Sequence, residues 1–585
     1  MAVVFRLIYR TLSSKASWSY VHGASAVPLL NDTIGNILRK TTDRCAQQEL
    51  IVTPEQGIRK TYEQFLRDCE KCASGLLALG VKKGDRVGIW APNVYEWMLA
   101  QFATALAGII LVNVNPAYQH QELEYCLNKS GMKAIVASRK FKTQDYYHML
   151  VHVCPELPAA KPGTLHSHNA PALKHVILLG DEKESGTWTF KELMEAGDSA
   201  SDRELTETEQ TLQPDDPVNI QFTSGTTGAP KGAALSHHNI TNNAYFVGRR
   251  SGYHQHPPVI CCPPPLYHCF GCVIGSLAAV VHAGKIVLPA PTFNAEASLQ
   301  AVHDEQCTYL YGTPTMFIDM LNHPHFDRFS YQSLKGGIMA GAPCPIEVCR
   351  QLIDKMHMHD FTIAYGTTEN SPVTFQSLRS DPPEVRVKSV GQVQDHMEAK
   401  IVDEDGRLVP LGSKGELWTR GYMVMLGYWN DADKTAEVIR PDRWYLCGDL
   451  SVMDESGRVT VVGRSKDMVI RGGENLYPTE IEQLLYTHPS VEDVQVVGVP
   501  DDRMGEELCA WIRVKHDHSL TEDEVRQFCK GKIAHFKIPR YIQFKEEDDF
   551  PVTVTGKIQK FKIREIAALE LGLDKVQPHL SYTDP

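Results

Sequence analysis

Short apolar runs alternate with helix-like stretches through most of the chain. Five such pairs are RVGIW before YEWMLAQFATALAG, HVILLG before FKELMEAG, KIVLPA before AEASLQAVHDEQ, TYLYGTP before TMFIDMLNH, and GGIMAGAP before IEVCRQLIDKMH. Short β-rich runs that are each followed by a helix are typical of parallel sheets covered by helices. The order of the runs therefore predicts an α/β protein.

The pattern changes after about residue 400. KIVDEDGRLVPLGSKGELWTRG and LSVMDESGRVTVVGR contain Asp-Gly and Ser-Gly turns between alternating strands, which is typical of β-hairpins. Beyond residue 468, Thr479-x-x-Glu482 has the spacing of a capping box at the start of a helix. These patterns predict a small β-rich subdomain followed by a small α+β domain.

The chain has 585 residues, which is too long for one ordinary domain. We expect a presequence over residues 1–31 and a large N-terminal domain over 32–463, made of helix-covered sheets plus the β-rich subdomain. A short polar junction, 464–467, would connect it to a small C-terminal domain over 468–585.

The predicted presequence differs in composition from the rest of the chain. It contains Arg6, Arg10 and Lys15, several hydroxyl side chains, and no acidic residue before Asp32. This composition is typical of a mitochondrial transit peptide, and the segment lacks the long apolar core of a secretory signal. We therefore expect a mitochondrial location, in the matrix; the alternative is a terminal segment that docks on the domain.

Charge and hydropathy argue against two classes of partner. The formal net charge is −12 and no basic block is present, which disfavours nucleic acid. The most apolar helix candidate, GCVIGSLAAVVHAG from residue 271, is too short to cross a bilayer and predicts a buried helix instead. We expect no transmembrane segment.

Two cysteine pairs have the spacing of a half-site for zinc, Cys69-x-x-Cys72 and Cys269-x-x-Cys272. No second pair lies at the distance that a zinc finger requires, and both pairs lie in or beside apolar helical patterns. Core packing is the favoured interpretation, with reduced thiols throughout the chain.

The segment QFTSGTTGAPKG, residues 221–232, has the composition of a phosphate-binding loop. Its glycines allow backbone N–H groups to approach an anion, and its hydroxyls and Lys231 add donors. The spacing differs from the Walker A motif, which requires G-x-x-x-x-G-K-[ST]. Taken alone, the segment is either an anion-binding loop of another kind or a turn that binds nothing.

The other motifs decide between these two interpretations. TSGTTGAPKG, PLYHCFG, MAGAP, YGTTE, GDL, GRSKDMVIRGGEN and TGKIQK occur in the order and rough spacing of the adenylate-forming superfamily, which includes acyl-CoA synthetases, luciferases and peptide-synthetase adenylation domains. The chain resembles this superfamily from about residue 45 to 570, and its medium-chain acyl-CoA synthetases most of all. Two positions depart from the usual pattern: Cys447 before Gly-Asp, and Thr555 before Gly-Lys.

The resemblance implies a two-step reaction. A carboxylate is a poor acyl donor, so the family uses ATP to form an acyl adenylate and pyrophosphate, and then transfers the acyl group to coenzyme A. The difficulty of the first step is electrostatic, because two anions must meet. The implied substrates are a fatty acid, ATP and coenzyme A, with Mg²⁺ as cofactor.

The resemblance also implies roles for individual residues. The implied catalytic residues are Lys557, Glu369, Thr368 and His268, and Glu369 is also the implied metal ligand. Those implied to bind ATP or AMP are Thr223, Ser224, Gly225, Thr226, Thr227, Gly228, Lys231, Gly341, Tyr365, Asp449 and Arg464. The implied path for coenzyme A is lined by Gly472, Gly473, Glu474 and Asn475, with Lys466 as the hinge of a domain rotation.

Two other functions are compatible with the same motifs. One is adenylation with transfer to a carrier protein, and the other is a non-catalytic ATP-binding sensor. The segments expected around the acyl chain, 267–271, 341–344 and 370–373, are mostly small or apolar. This favours a fatty acid over an amino acid, which would need an acidic partner for its ammonium group; the medium length is implied by the resemblance alone.

Overall fold

The computed structural model describes residues 18–223, 230–342, 344–464, 467–471, 474–553 and 558–574, except for the side chains of residues 474 and 475. These residues form four sheets and the helices that cover them.

The strands, numbered in chain order, are β1 Tyr20–His22, β2 Glu49–Thr53, β3 Ile58–Thr61, β4 Arg86–Trp90, β5 Ile110–Asn113, β6 Ala134–Ser138, β7 His175–Leu179, β8 Trp188–Thr189, β9 Pro217–Thr223, β10 Lys231–Ser236, β11 Val259–Cys261, β12 Lys285–Val287, β13 Tyr309–Gly312, β14 Gly336–Met339, β15 Thr362–Gly366, β16 Val373–Gln376, β17 Gln392–Val393, β18 Met397–Val402, β19 Lys414–Gly421, β20 Gly427–Tyr428, β21 Tyr445–Met453, β22 Val459–Arg464, β23 Val469–Arg471, β24 Glu474–Leu476, β25 Val491–Asp501, β26 Gly505–Val514 and β27 Tyr541–Phe544.

The α-helices are α1 Ile34–Cys45, α2 Tyr62–Ala78, α3 Tyr95–Leu106, α4 His120–Ser130, α5 Tyr146–Val153, α6 Phe190–Glu195, α7 Ser199–Glu209, α8 His237–Arg250, α9 Cys269–Gly271, α10 Ala278–Val281, α11 Ala295–Asp304, α12 Pro314–Leu321, α13 Ile346–Met356, α14 Pro383–Arg386, α15 Ala432–Val438, α16 Pro478–Leu485, α17 Glu522–Cys529 and α18 Lys560–Glu570. A π-helix spans Cys272–Leu277, and 3₁₀ turns span Pro54–Gln56, Leu157–Ala159, Phe326–Arg328, Thr368–Asn370, His535–Lys537 and Glu547–Asp549.

Two large sheets form the centre of the molecule. One has eight strands in the order β20-β10-β9-β5-β4-β6-β7-β8, and the other has nine in the order β17-β16-β15-β14-β13-β11-β12-β2-β3. Most neighbours in both sheets are parallel, and antiparallel strands lie toward the edges. The α/β prediction is therefore confirmed, and all five predicted strand–helix pairs are present.

The main core lies where helices from the two sheets pack together. Trp97 and Phe102 of α3 are fully buried there, with the π-helix and α8 among the surrounding elements. The segment that was predicted to be a buried helix is buried, but its first part is π-helical. Burial of these large side chains supplies the main stabilisation, at roughly 2–3 kcal/mol for each side chain.

A third sheet, of five antiparallel strands, has the order β1-β18-β19-β21-β22. It contains both predicted hairpins, since β18 pairs with β19 and β21 pairs with β22. Its first strand, β1, lies inside the segment that was expected to be a presequence. Tyr20 pairs with Lys400, and the buried Ser19 donates its backbone N–H to Val409 O at 2.9 Å.

This packing differs from the expectation that residues 1–31 form one removable segment. Leu30 and Asn242 exchange two hydrogen bonds, of 2.7 and 3.0 Å, so the contacts continue to the end of the segment. Residues 18–31 are part of the folded domain because they complete the edge of a sheet and its polar contacts. Residues 1–17 lie outside the described part of the chain.

We predict that a protein lacking residues 1–31 is less stable than one lacking residues 1–17, because only the longer deletion removes the contacts of residues 18–31. The longer deletion removes β1 and several hydrogen bonds, each worth about 1 kcal/mol, so we expect a loss of roughly 3 kcal/mol in the free energy of unfolding. Urea unfolding of the two truncated proteins measures the difference. Equal stability of both would contradict a structural role for 18–31.

The fourth sheet follows β22 in the chain. It has the order β24-β23-β26-β25, with β27 added parallel to β26, and α16, α17 and α18 pack against it. The predicted capping box at Thr479 is wrong. Helix α16 starts at Pro478, which suits a first helical position because its missing N–H needs no partner there. Glu482 is buried and accepts from Val496 N at 2.7 Å instead.

One carboxyl group of α12 faces the charges of the fourth sheet. Burial, and then the nearby Glu547, raise the pKa of Asp319 to about 7; Glu492 and Asp493 act in the same direction, and Arg513 opposes them. A carboxyl whose pKa is raised in the folded state destabilises that state as the pH rises from its ordinary pKa through the raised one.

We therefore predict that Asp319→Asn raises the melting temperature at pH 8 relative to wild type. The gain should shrink below about pH 7 and disappear near pH 4, where the aspartate is protonated in both states. Asp327→Asn, which removes an exposed carboxyl near the same helix, is the control. A pH-independent difference would contradict this assignment.

All the cysteines are free thiols, and Cys69, Cys72, Cys269 and Cys272 are buried. The four thiols of the two cysteine pairs lie in the main apolar core. Among the described residues, no group of three or more His, Cys, Asp or Glu side chains could hold a metal ion. In the same part of the chain, no helix has the length and apolar character needed to cross a membrane.

Candidate active site

Several predicted site residues lie at the carboxyl ends of strands from both large sheets. Thr223 ends β9, Tyr365 lies near the end of β15, and Gly341 follows β14. In open α/β sheets this edge is where ligands bind, because the connecting loops meet there. Gly341 has φ +92°, a conformation that glycine adopts without steric cost.

Glu369 lies in the 3₁₀ turn Thr368–Asn370 and is 9% exposed. Its Oε1 accepts a hydrogen bond of 2.8 Å from the Tyr428 hydroxyl. The Nζ atom of Lys231 lies 5.1 Å from the centre of the same tyrosine ring. Tyr428 therefore brings together two predicted site residues that are far apart in the chain, a carboxylate and an ammonium group.

Burial, and then the Glu369 carboxylate, raise the pKa of Tyr428 well above its ordinary value. The phenol therefore stays protonated and remains a hydrogen-bond donor at neutral pH. A donor to one oxygen holds the carboxylate in position and leaves its remaining lone pairs available to a cation. Tyr428 was not predicted as a site residue; the aromatic pair Tyr428-Trp429 after a glycine was the only local signal.

Asp449 lies on β21 directly opposite Arg464 on β22. It is 3% exposed, its Oδ1 lies 3.3 Å from Arg464 Nε, and the Tyr365 hydroxyl donates to its other oxygen. Burial, and then Asp449, raise the pKa of Tyr365 well above its ordinary value, which keeps this phenol neutral as well. The three predicted nucleotide-binding residues are therefore joined by one ion pair and one hydrogen bond.

His268 caps the short helix α9, where its Nδ1 accepts from Phe270 N at 3.1 Å. The next residue, Cys269, has its Sγ atom 3.8 Å from Thr368 Oγ1. The PLYHCFG and YGTTE segments are thus in direct contact. Burial raises the pKa of the Cys269 thiol to about 12, so this thiol stays protonated and is not a nucleophile at neutral pH.

The two ends of the predicted phosphate loop are tied together. Thr223 and Lys231 pair across β9 and β10, and Thr223 Oγ1 donates to Lys231 O at 3.3 Å. The loop residues Ser224, Gly225, Thr226, Thr227 and Gly228 lie outside the described residues. This pairing places both ends of the loop at the same edge as Glu369.

Other predicted residues also lie outside the described part of the chain, namely Lys466, Gly472, Gly473 and Lys557. Glu474 and Asn475 form β24, whose backbone pairs with Arg471 and Ile470, but their side chains are not described.

Comparison with known proteins identifies the family of the chain. Residues 38–429 match the family model of the AMP-binding enzymes, and residues 480–557 match the model of the AMP-binding enzyme C-terminal domain. The chain belongs to the AMP-binding enzyme family, and the predicted resemblance to adenylate-forming enzymes is confirmed.

Individual relatives narrow the class. The chain is 51% identical over 557 residues to the mitochondrial medium-chain acyl-CoA ligase ACSF2 of Danio rerio. This alignment covers 95% of the chain and 91% of the relative. It is 49% identical over 560 residues to the human protein of the same name, an alignment that covers 95% of this chain and 91% of that relative. It is 46% identical over 538 residues to a putative acyl-CoA synthetase, YngI, of Bacillus subtilis, with 92% of this chain and 97% of that relative covered. The predicted enzyme class, an acid–thiol ligase, is confirmed.

Solved structures share the fold. The anthranilate CoA ligase AuaEII in complex with anthranoyl-AMP matches with a TM-score of 0.80 at 25% identity, over 94% of this chain and 99% of that one. ATP-bound MatB from Rhodopseudomonas palustris matches with a TM-score of 0.74 at 26% identity, over 92% and 99% of the two chains. The likeness covers nearly the whole chain.

Proposed function

We propose that this protein activates a medium-chain fatty acid with ATP, forming an acyl adenylate and pyrophosphate, and then transfers the acyl group to coenzyme A in the mitochondrial matrix. The observation that carries the proposal is the contact between Glu369, Tyr428 and Lys231 at the edge where Asp449 and Tyr365 also lie. A carboxylate, an ammonium group and the hydrogen-bonded pair of Asp449 and Tyr365 lie at one edge, and together these groups suit a nucleoside triphosphate.

We assign the nucleotide to the Asp449 group. The carboxylate of Asp449 would accept from both ribose hydroxyls, since an ionised carboxylate has several acceptor positions. The ring of Tyr365 would face adenine beside the backbone of Gly341. Arg464, whose Nε lies 3.3 Å from Asp449 Oδ1, would fix the position of the carboxylate and lie near the phosphate.

We assign the phosphates to the loop between Thr223 and Lys231, and the metal to Glu369. Mg²⁺ is commonly held by one or two carboxylates together with substrate phosphates, so a single oriented carboxylate fits it. When bound, the cation neutralises charge on the phosphate oxygens. Thr368 would donate to the α-phosphate, and Lys557 would bridge this group and the attacking carboxylate.

The acyl chain would extend past Phe270. This residue comes directly after Cys269, whose Sγ atom contacts Thr368. The ring of Tyr311 lies 5.9 Å from that of Phe270, and the Tyr311 and Tyr253 hydroxyls are hydrogen-bonded to each other in a fully buried position. We infer that this buried aromatic layer would limit how far an acyl chain can extend. This supports an acyl chain of intermediate length, as in the name of the Danio rerio relative.

For the second step we propose a rotation of the C-terminal domain about Lys466. The rotation would move Lys557 away from the site of adenylate formation. It would bring toward His268, where the thiol of coenzyme A would enter, the segment formed by Gly472, Gly473, Glu474 and Asn475. For localisation, we propose that the mitochondrial targeting signal lies before residue 18, because residues 18–31 pack into the fold.

Pyrophosphate release across a series of fatty acids tests the first step, and thioester formation with free coenzyme A tests the second. We expect the highest kcat/KM for medium-length chains, and AMP release that depends on coenzyme A. A non-catalytic sensor would release no pyrophosphate with any acid. An enzyme that loads a carrier protein would form the adenylate but no thioester with free coenzyme A.

A further inference from the structure

The segment that contains Lys557 is held at both of its ends. Lys557 itself lies outside the described part of the chain, but Val552 and Ile558, on either side of it, pair in an antiparallel bridge. Beyond this bridge, Gln559 N donates to Pro551 O at 2.8 Å. The two ends therefore lie side by side, and the position of this short segment depends on what holds the helix that follows it.

That helix, α18, begins at Lys560, three positions after Lys557. Its N-cap residue, Gln559, makes no side-chain capping bond. Lys560 places a positive charge at the end of the helix where the macrodipole is also positive, which is an unfavourable location for a cation. Local preferences therefore do not fix the start of α18, and its position depends on tertiary contacts.

The tertiary contact at this point is an ion pair with Glu482 of helix α16. Lys560 Nζ donates to Glu482 Oε1 and, at 3.3 Å, to Val496 O. The same Glu482 oxygen accepts from Val496 N at 2.7 Å. Among the described strands, β25 lies at the end of the fourth sheet, and the pair bonds to the backbone of this strand. The pair thus joins α16, β25 and the start of α18.

The two helices lie on opposite faces of the fourth sheet. Ile481 of α16 packs in one apolar cluster with Val496, whereas Ile563 of α18 packs in another with Val497. Successive side chains of a strand point to opposite faces, so these clusters are on different sides of β25. Apolar packing holds each helix on its own face, and the ion pair connects the two helices around the strand.

Burial indicates what this ion pair contributes. The side chain of Glu482 is 6% exposed and that of Lys560 is 20% exposed. Removing two charges from water costs about as much as their attraction returns, so such a pair adds little to stability, and a neutral replacement is often tolerated. A buried carboxylate that is bonded to both the backbone and the ammonium does, however, restrict the ammonium to one position.

A second ion pair holds the next turn of α18. Arg564 donates to Glu506 of β26, but the arginine side chain is 46% exposed. Exposed pairs contribute little because water screens them. The buried pair is also the nearer of the two to Lys557 in the chain, so it has the larger influence on the start of the helix.

We propose that Glu482 and Lys560 are positioning residues for the first half-reaction. Their ion pair fixes where α18 begins, and thereby where Lys557 stands relative to the attacking carboxylate and the α-phosphate. This inference rests on the proposed function and adds to it two residues that do not touch the substrates. The second half-reaction does not use the pair, because Lys557 is moved away from the site for that step.

The first test removes both charges together in the full-length enzyme. In Glu482→Gln/Lys560→Met, the new amide oxygen still accepts from Val496 N, and no unpaired charge is left in a buried place. Fatty-acid-dependent ATP–pyrophosphate exchange should fall by about 10- to 10²-fold, the scale of a misplacement of about 1 Å. Thioester formation from ready-made acyl adenylate, and the melting temperature, should stay close to wild type.

Two further variants serve as comparisons. Lys560→Arg keeps the cation and should retain more exchange activity than the neutral pair. The matched control is Glu480→Gln/Lys537→Met, because Glu480 belongs to the same helix α16 and its two oxygens accept from Lys537 at 2.6 and 2.8 Å. This control should leave both half-reactions unchanged. An equal fall in both half-reactions of the Glu482/Lys560 variant, or no fall in exchange, would overturn the proposal.

A double-mutant cycle tests whether the pair acts through Lys557. When the Glu482/Lys560 changes are added to Lys557→Ala, exchange should fall no further, because residues that act as one unit are not additive. A further fall by the same factor as in wild type would show that the pair acts elsewhere. Failure of the proposed function would be recognised separately, as absence of pyrophosphate exchange in wild type.

A last measurement needs no turnover and applies even where a variant is less stable. Hydrogen exchange followed by mass spectrometry should show faster exchange in peptides that cover residues 551–562 of the Glu482/Lys560 variant, while peptides of helix α17 exchange as in wild type. Unchanged exchange over 551–562 would refute the positioning role whatever the enzyme's acyl substrate is. Faster exchange throughout the fourth sheet and its helices would also refute it, since that indicates general destabilisation.

Discussion

Replacing Lys557 with alanine is expected to lower fatty-acid-dependent ATP–pyrophosphate exchange by roughly 10²–10³-fold, the usual scale for deleting one donor that stabilises a transition state. The resemblance to adenylate-forming enzymes implies that this lysine bridges the carboxylate and the α-phosphate. At 4 Å and an effective dielectric constant of about 20, one charge contributes about 4 kcal/mol to such a contact, which accounts for an effect of this size.

The same variant should still form thioester from acyl adenylate that is supplied ready-made, because Lys557 is proposed to act only in the first step. Lys562→Ala is the matched control, since Lys562 is an exposed lysine of helix α18. Circular dichroism establishes that both variants are folded. Loss of both half-reactions to the same extent in a folded Lys557 variant would argue against a division of labour between two domain orientations.

Replacing Glu369 with glutamine is the second change with a large expected effect. It removes the negative charge next to the phosphates but keeps an oxygen that can accept from Tyr428, whose hydroxyl donates at 2.8 Å. We expect kcat for adenylate formation to fall by roughly 10²-fold and the Mg²⁺ concentration for half-maximal activity to rise, because a ligand of the cation is lost.

The control for this change is Glu347→Gln, which alters an exposed carboxylate on helix α13. The melting temperature of the Glu369 variant should stay within a few degrees of wild type, since no apolar packing is removed. Tyr428→Phe provides a graded comparison: it leaves the charge and removes the hydrogen bond that orients it, so we expect about a tenfold loss. Wild-type turnover in Glu369→Gln would exclude this residue as a metal ligand.

Much of the fold follows from local patterns. All five pairs of an apolar run and a helical run became a strand and a helix, because strand length, turn residues and helical periodicity are encoded within about ten neighbouring residues. The ordered motifs likewise identified the family, which the match over residues 38–429 confirmed. The roles of single residues in those motifs stay predictions.

Local sequence patterns determined the structure less well where two signals competed. Thr479 and Glu482 have the spacing of a capping box, but Pro478 starts the helix and Glu482 turns inward to Val496 and Lys560. The basic composition before Asp32 indicated one presequence, yet β1 pairs with β18, almost 400 positions away. An edge strand depends on a partner that no local window contains.

By itself, therefore, the sequence determined the class of elements, their order and the family of the enzyme. The tertiary structure alone decided which distant side chains meet: Tyr428 between Glu369 and Lys231, and Tyr365 beside Asp449. The physical reason is that helix and strand preferences act between near neighbours, whereas these contacts arise only when sheets pair and pack, which brings the carboxyl ends of separate strands to one edge.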